Sequence, residues 1–489
     1  MKPLRLLSGS DIRGHGTYDL DTEFLTDLCH AVLHHLNRPN PVIVIGKDSR
    51  LTGGTIESIL VRQLIALGAR VVLLVTAPRW KNVATTPMVF QAVQHYPADL
   101  GIMITASHLP PKWNGLKFFT FHDSYTKDEV RLVLNLVEEK QRYLYSGSPG
   151  MVLEWNFLDL YSEQCVNFIR KEIGQGETPL SALKILVDAG NGASGFFAEK
   201  ILEPLGADCR ESLYLTPDGH FPHHIPNPED DSALTDLCRA VVDSRADLGI
   251  IFDTDGDRAA IVLSDGRPVA HNHLLALVSA MILRNRPGST IVTDSVTSDG
   301  LTTFIESLGG IHHRYKRGYS NIRNEMKRLN ETKTVCFAGG ETSGHVMFTE
   351  NQYADDGSYT VARFLIFLAQ LNANNESFET VLQSLPEASE SRVYRIPIRD
   401  TQFIQYGNQI IDSVIEYAHR EKLAIDLTEG ARVSFKQADL DGWVLIRLSL
   451  HEPLLVVNIE SNAPGGLATL LIWVKKVLAS FEQLDLTFF

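Results

Sequence analysis

The chain has 489 residues, is 44% hydrophobic and 21% charged, and carries a formal net charge of −14 at pH 7. That length divides into roughly three to four domains of about 100–150 residues. The acidic balance excludes a broad nucleic-acid-binding surface, while leaving room for a local Arg/Lys cluster around a small anion.

The first residues, MKPLRLLSGSDIRG, lack the apolar core of a signal peptide. Strand patterns follow at PVIVIGKDSR (41–50) and ARVVLLVTA (69–77), separated by the helical stretch GGTIESILVRQLIALG. The unit closes with ADLGIMITASH (98–108). Residues 151–174 read as a helix-like connector. The same order then recurs: LKILVDAGNG (183–192), the helical ASGFFAEKILEPLG, and ADLGIIFDTDGD (246–257). A third, fainter copy runs from STIVTDSVTSDG (289–300) to KTVCFAGGETSGH. Apolar runs of 4–8 residues ending in Gly, Asp or Ser before a helical pattern are βαβ units. Their sites lie at the carboxyl ends of the strands. After about residue 390 the runs SRVYRIPIRD, ARVSFKQ, GWVLIRLSL and PLLVVNIES suit antiparallel strands around a helix at about 402–419. The expectation is α/β: three related domains with mixed, largely parallel sheets (1–150, 151–268, 269–390) and a C-terminal α+β domain (391–489). The longest apolar run, FLIFLAQL (364–371), is too short to span a membrane. The five cysteines form no C-x-x-C pair, which suits reduced thiols in a cytoplasmic protein.

Four loops carry chemistry. In TASHLPPKWNGLKFF, Ser107 is a hydroxyl on a tight turn that needs a base, a metal or cations to act as a nucleophile, with His108 and Lys117 near in sequence. The alternative is a serine that caps a turn. In DTDGDR, Asp253, Asp255 and Asp257 would repel one another without a cation, and a hard divalent ion such as Mg²⁺ resolves that. An EF-hand does not fit, because Arg258 stands where Gly is required. GGETSGH offers Glu341 and Ser343 for sugar hydroxyls and His345 as a general acid or base. In RLSLHEP, Arg447 and Ser449 could clamp a dianion. The remaining histidines, in PDGHFPHHIPNPE and at 34–35 and 312–313, read as structural rather than metal-binding.

Taken in order, DIRG (11–14), GKDSR (46–50), TASHLPPKWNGLKFF, PDGHFPHHIPNPE, DTDGDR, GGETSGH and RLSLHEP resemble the α-D-phosphohexomutase family across nearly the whole chain. The resemblance implies four domains around a central cleft and one Mg²⁺ per active site, held by Asp253, Asp255, Asp257 and an oxygen of phosphorylated Ser107. It places Arg258, Arg13, Lys117 and His108 around the transferring phosphoryl group. Glu341 and Ser343 would hold the sugar, His345 or Lys117 would move the proton, and Arg447 with Ser449 would hold the non-reacting phosphate. The implied reaction moves phosphate between the 1- and 6-positions of glucose or mannose phosphates through a hexose 1,6-bisphosphate.

The chain departs from the family pattern at Leu109, at Leu450 and His451 in the distal clamp, and at Val456, where many members carry a second Arg. Those departures favour a second expectation: a glucose 1,6-bisphosphate synthase that releases the bisphosphate and takes phosphate from a donor such as fructose 1,6-bisphosphate. Rival readings are a phosphoglucosamine mutase, a haloacid-dehalogenase-type phosphatase with Asp253 as nucleophile, and a non-enzymatic sugar-phosphate sensor. Phosphosugars are the expected partners, with no nucleic acid or membrane, for a cytoplasmic monomer or homodimer.

Overall fold

A computed structural model describes residues 3–437, 440–449 and 452–487. The chain forms two compact units, Met1–Ala270 with Ser343–Phe378, and His271–Thr342 with Glu379–Phe489. Three α/β domains and a C-terminal domain with an antiparallel sheet make up the architecture.

In the first unit, the leading sheet has seven strands. Their order is Leu7–Ser8, Asp11–His15, Trp113–Phe119, Leu100–Ile104, Val42–Lys47, Arg70–Leu74 and Val152–Trp155. Leu100–Ile104 lies parallel to Val42–Lys47 on one side and antiparallel to Trp113–Phe119 on the other. Every residue of Leu100–Ile104 is buried. Ile43, Ile45, Leu100 and Ile102 pack under the helices Thr22–Leu36, Gly53–Ala66 and Lys127–Glu138. The third of these begins with a full capping box between Thr126 and Glu129. Helix Thr86–His95 covers the opposite face, where Val89 and Val93 lie close against Gly46 and Gly101.

The second sheet runs Pro268–Val269, Ala259–Leu263, Leu248–Phe252, Ile185–Asp188. Leu248–Phe252 is again fully buried, with a parallel neighbour in Ile185–Asp188 and an antiparallel return in Ala259–Leu263. The two ADLGI segments therefore form equivalent strands, each followed by a short loop and an antiparallel return.

Two local expectations change. Residues 151–174 are not all helical: Val152–Trp155 is an edge strand parallel to Arg70–Leu74, and the helix is Phe157–Ile173. The stretch ASGFFAEKILEPLG forms no regular α-helix. It widens into a π-turn at Ala198–Leu202 and tightens to a 3-10 turn at Glu203–Leu205, where Pro204 has no N–H for the ladder. The first unit also takes in helix Gly357–Ala373, joined to helix Phe157–Ile173 by the stacked rings of Phe168 and Tyr359 and by the hydroxyl of Tyr161 on Asp356.

In the second unit, Thr290–Asp294 has parallel partners on both sides, Ile311–Tyr315 and Cys336–Gly340. A five-stranded antiparallel sheet follows in the order Glu390–Pro397, Leu454–Ser461, Leu440–Leu448, Ala431–Gln437, Ala424–Asp426. Helices Phe403–Arg420 and Gly466–Leu478 bury Ile410, Val414, Leu470 and Val474 on one face of it. Its other face carries buried Arg432, Trp443, Arg447 and Glu460. Among the described residues, no helix is long and apolar enough to cross a membrane.

Candidate active site

Both ADLGI strands end in loops that meet inside the first unit. The hydroxyl of Ser107 donates to Asp253 Oδ2 at 3.1 Å and accepts from Arg258 Nη2 at 3.0 Å. Its own neighbour His108 lies with Nδ1 3.2 Å from that hydroxyl and 2.7 Å from Arg258 Nη2. Burial pulls the His108 imidazole down to about 2, aided by the charges of Arg258 and Arg13, so it is a neutral acceptor there. Ser107 has a left-handed backbone, φ 51°, which few non-glycine residues adopt.

Asp253, Asp255 and Asp257 converge, with one carboxylate oxygen from each within 4.8 Å of the others. All three are buried. The ammonium of Lys117 donates to Asp255 Oδ2 at 2.9 Å and Asp257 Oδ2 at 2.5 Å. Arg258 turns back on its own loop, with Nε 3.0 Å from Asp253 Oδ2. Burial pushes Asp253 well above the usual carboxylate range, reinforced by Asp257 and Asp255. Burial is again the largest influence on Asp255 and Asp257 and raises both, but the charge and hydrogen bond of Lys117, together with the Thr86 hydroxyl on Asp255 and the charges of His345 and Arg258 on Asp257, outweigh it and both lie below the ordinary value. Asp255 Oδ1 and Asp257 Oδ1 are buried without a hydrogen-bond partner, the second with Arg258 Nε 3.9 Å away. Three convergent hard oxygen donors with unused lone pairs fit a divalent cation such as Mg²⁺.

Arg13 stands on strand Asp11–His15 opposite Gly115, two residues before Lys117 on its partner strand, and is paired with Asp11 Oδ2 at 2.8 Å. A side chain at 115 would collide with the carbonyls of Ile12 and Thr105, at 2.3 and 2.7 Å from an added Cβ. Gly115 thus lets these strands approach closely enough to bring Arg13 and Lys117 together. From the later segment of the unit, the Ser343 carbonyl accepts from Arg258 Nη1 at 3.4 Å, and His345 forms a β-bridge with Arg258. His345 Nδ1 is tightly bonded to Asp355 Oδ2. Burial alone would depress this imidazole; the charges of Asp355 and Asp257 outweigh it and raise His345 to about 9. The first unit therefore gathers Ser107, His108, Lys117, Arg13, Arg258, Ser343, His345 and the three aspartates.

Glu341, Arg447 and Ser449 belong to the second unit. Glu341 Oε1 accepts from the Gly318 N–H at 2.6 Å. Arg447 is buried, with Glu429 Oε1 3.9 Å away. Burial and the charges of Arg317 and Arg395 pull its guanidinium down, while Glu429 and Asp294 oppose them. Val456 lies between Arg447 and Arg395 in one cross-strand row. With Val456 apolar, Arg395 is the next cation along that row. Ser449 is described, with its N–H on Leu454 O at 2.9 Å, whereas Leu450 and His451 lie outside the described residues.

Sequence reasoning missed three residues. Asp355 sits in the YADDG stretch, ten positions after its imidazole partner. Asp48 and Arg50, inside GKDSR, underlie the Ser107 loop. Four of the discounted histidines have partners in the fold. His224 Nε2 contacts Asp188 Oδ2 at 3.0 Å, and His223 stacks on Tyr214. His312 contacts Thr293 while His313 contacts Glu325.

Sequence models of phosphoglucomutase/phosphomannomutase α/β/α domains I, II and III match residues 5–143, 160–266 and 270–388. A phosphomannomutase/phosphoglucomutase of Pseudomonas syringae pv. tomato is 30% identical over 468 residues, covering 95% of this chain and 93% of that one. This chain belongs to the phosphoglucomutase/phosphomannomutase family. It is accordingly an enzyme. A phosphoglucomutase of Neisseria gonorrhoeae is also 30% identical, over 444 residues, with 90% and 89% of the two chains covered. Among solved structures, a phosphoglucomutase/phosphomannomutase family protein from Burkholderia thailandensis matches with a TM-score of 0.80 and 25% identity over 98% of both chains. The mutual approach of Ser107, Arg258 and the aspartates is thus a feature of a family member rather than an isolated polar cluster.

Proposed function

We propose that this family member is a Mg²⁺-dependent phosphotransferase acting on glucose phosphates, with mannose phosphates as the nearest alternative substrates. Phosphorylated Ser107 is its phosphoryl carrier. The observation that carries the reading is the placing of Ser107 Oγ between Asp253 Oδ2 and Arg258 Nη2, at 3.1 and 3.0 Å. The hydroxyl has a cation on one side and a candidate metal cage on the other. Phosphoryl transfer demands positioning and charge neutralisation above all.

Asp253, Asp255 and Asp257, with an oxygen of the Ser107 phosphate, would hold the Mg²⁺. When bound, it neutralises charge on the transferring group. The protein's own groups do the rest. Arg258, Arg13 and Lys117 surround the phosphoryl group with positive charge. His345, oriented by Asp355 and raised to about 9, acts as base only in its deprotonated form; in that form it takes the proton of the attacking sugar hydroxyl, and the phosphoryl group passes from Ser107 Oγ to that oxygen. The resulting hexose 1,6-bisphosphate turns end for end, and its other phosphoryl group returns to Ser107 as the proton is restored. Glu341 and Ser343 hold the sugar hydroxyls; Arg447 and Ser449 hold the phosphate that is not reacting.

A second reading is a glucose 1,6-bisphosphate synthase, and one observation favours it. The row Arg447–Val456–Arg395 has an apolar residue where a second clamp cation would stand, and Arg395 is largely exposed. A weaker clamp releases the bisphosphate sooner. Assay of a panel of hexose phosphates, with and without added hexose 1,6-bisphosphate or fructose 1,6-bisphosphate, tests both readings. Interconversion of 1- and 6-phosphates supports the mutase. Net accumulation of free glucose 1,6-bisphosphate supports the synthase, and neither product removes both.

A further inference from the structure

Transfer chemistry explains the hydroxyl of Ser107 but not its backbone. A left-handed conformation is strained for a non-glycine residue, so something must hold it. Both main-chain groups of Ser107 are held. Its N–H donates to Thr105 Oγ1 at 2.8 Å, and its carbonyl accepts from Arg50 Nη2. The same guanidinium reaches Leu109 O at 2.5 Å through Nη2, and Pro110 O and Trp113 O at 2.9 Å each through Nη1.

Arg50 and Thr105 share one anchor. Asp48 Oδ1 accepts the Arg50 N–H at 2.9 Å, and Asp48 Oδ2 accepts the Thr105 hydroxyl at 2.7 Å. Arg50 Nε faces that second oxygen at 3.2 Å, with both side chains fully buried. The ring of Phe221 lies 5.4 Å from the guanidinium. Asp48 is itself fixed by its N–H on Ile104 O at 3.1 Å, at the end of the strand that leads into the loop.

We propose that Asp48, Thr105 and Arg50 form a positioning device that holds Ser107 in its left-handed state, so that Oγ stays aimed at Asp253 and Arg258. The proposal rests on the reading of Ser107 as phosphoryl carrier. Within the Ser107 loop Arg50 engages only main-chain carbonyls, so its grip is the same whether or not the hydroxyl carries phosphate, a group worth about −1.5 to −2 charges. Four carbonyls converging on one buried group require a planar fork of N–H donors. Arginine supplies that fork and lysine does not.

The test uses the full chain with Arg50→Lys and, separately, Thr105→Val, each compared with wild type. After incubation with glucose 1,6-bisphosphate, intact mass reports phosphate on Ser107. Steady-state and single-turnover assays report kcat, KM and the rate of transfer from the phosphoenzyme. A misaimed reacting group costs on the order of 10²-fold. The expected result is a fall of about that size in kcat and in single-turnover transfer for Arg50→Lys, and about tenfold for Thr105→Val, with KM little changed. A role confined to stability would lower the melting temperature and leave kcat of the folded enzyme intact. If Arg50→Lys does not fold, Thr105→Val, which changes shape least, decides. Wild-type kcat in the folded variants overturns the device alone. A wild-type enzyme that never acquires phosphate on Ser107 overturns the carrier reading and the device with it.

Discussion

The two ADLGI strands solve one geometric problem in opposite ways. Each sits between a parallel neighbour and an antiparallel return, and each must reverse the chain within a few residues. In the second domain the left-handed position of the loop is Gly256, φ 69°, so Asp253, Asp255 and Asp257 occupy positions free of that strain. In the first domain the left-handed position is Ser107 itself. On the proposed reading Ser107 is the phosphoryl carrier and needs its side chain, so glycine is not available there, and the backbone is held by Arg50 and Thr105 instead. The comparison extends one strand further. The parallel neighbours lead to Asp48 and Asp188, whose Oδ1 atoms accept N–H groups two residues on, from Arg50 and Gly190, at 2.9 and 2.8 Å. From there Asp48 goes on to anchor Thr105 and Arg50, while Asp188 meets His224.

Ser107→Ala and Ser107→Gly separate chemistry from strain and give the largest effects. Both remove the phosphoryl carrier, and kcat is expected to fall by at least about 10³-fold. Their stabilities diverge. Ser107→Gly relaxes φ and should melt at or above the wild-type temperature, whereas Ser107→Ala keeps the strain. A Ser107→Ala enzyme with near-normal turnover would show that the hydroxyl is not the carrier and would bring Asp253 forward as nucleophile.

Asp257→Asn attacks the other loop. It removes one charge from a trio whose Asp255 Oδ1 and Asp257 Oδ1 accept no hydrogen bond. Loss of a few kcal/mol of charge stabilisation corresponds to about 10²–10³-fold in kcat, together with a higher Mg²⁺ requirement in a titration of activity against metal. Chelation of the wild type should abolish activity, and added Mg²⁺ should restore it. Activity that survives exhaustive chelation would leave the carboxylates a purely structural role.

The loops of the candidate site were legible because each places reactive groups directly after an apolar run and before a turn. Ser107 and the aspartates announce themselves in this way, and the equivalence of their strands is written in the repeated ADLGI. Arg50 was not legible in its role. Its partners are main-chain carbonyls 57 to 63 residues away, and main-chain acceptors leave no mark on side-chain patterns. Asp355 was hidden for a related reason: it reaches His345 only because the chain doubles back through the bridge between Met347 and Asp355. Strand Val152–Trp155 was missed because it is an edge strand whose first three residues are exposed, so its burial shows no alternation to read. Val456 was visible as an apolar residue where the family pattern leads one to expect a cation. Only the strand register places Arg395 next in the same row.

Gly256→Ala puts the strain of the first loop into the second without adding its clamp. An added Cβ would lie 2.5 Å from Ser194 Oγ and 2.8 Å from Thr85 Cγ2, at a backbone angle that disfavours any side chain. The expected cost is about 1–3 kcal/mol, read as a lower midpoint in chemical denaturation. A variant as stable as wild type would mean that the two loops do not differ in the way their left-handed positions imply.

The smallest effect tests the outermost pair. His224 is drawn down by burial, but its bond to Asp188 and the charge of that carboxylate outweigh burial and raise its pKa. A histidine whose folded pKa lies above the unfolded value of about 6.5 stabilises fully below that value, and the contribution is lost as pH rises through the folded pKa. Asp188→Asn should therefore melt below wild type by a margin that is widest at about pH 6 and narrows by about pH 9, a change within roughly 2–4 °C. The same loop carries Asn227, whose Oδ1 accepts from Arg258 Nη1 at 3.2 Å. Loosening His224 should thus also raise the Mg²⁺ or substrate demand slightly, through the arginine that faces Ser107. Asp48, in contrast, holds an arginine that stays charged across this range, and burial raises its own carboxyl to about 6, so the pH dependence that Asp48→Asn removes lies between about pH 4 and pH 6, where wild type loses stability as pH rises, and not between about pH 6 and pH 9. An equal pH dependence in Asp48→Asn and Asp188→Asn would erase the distinction between the two anchors.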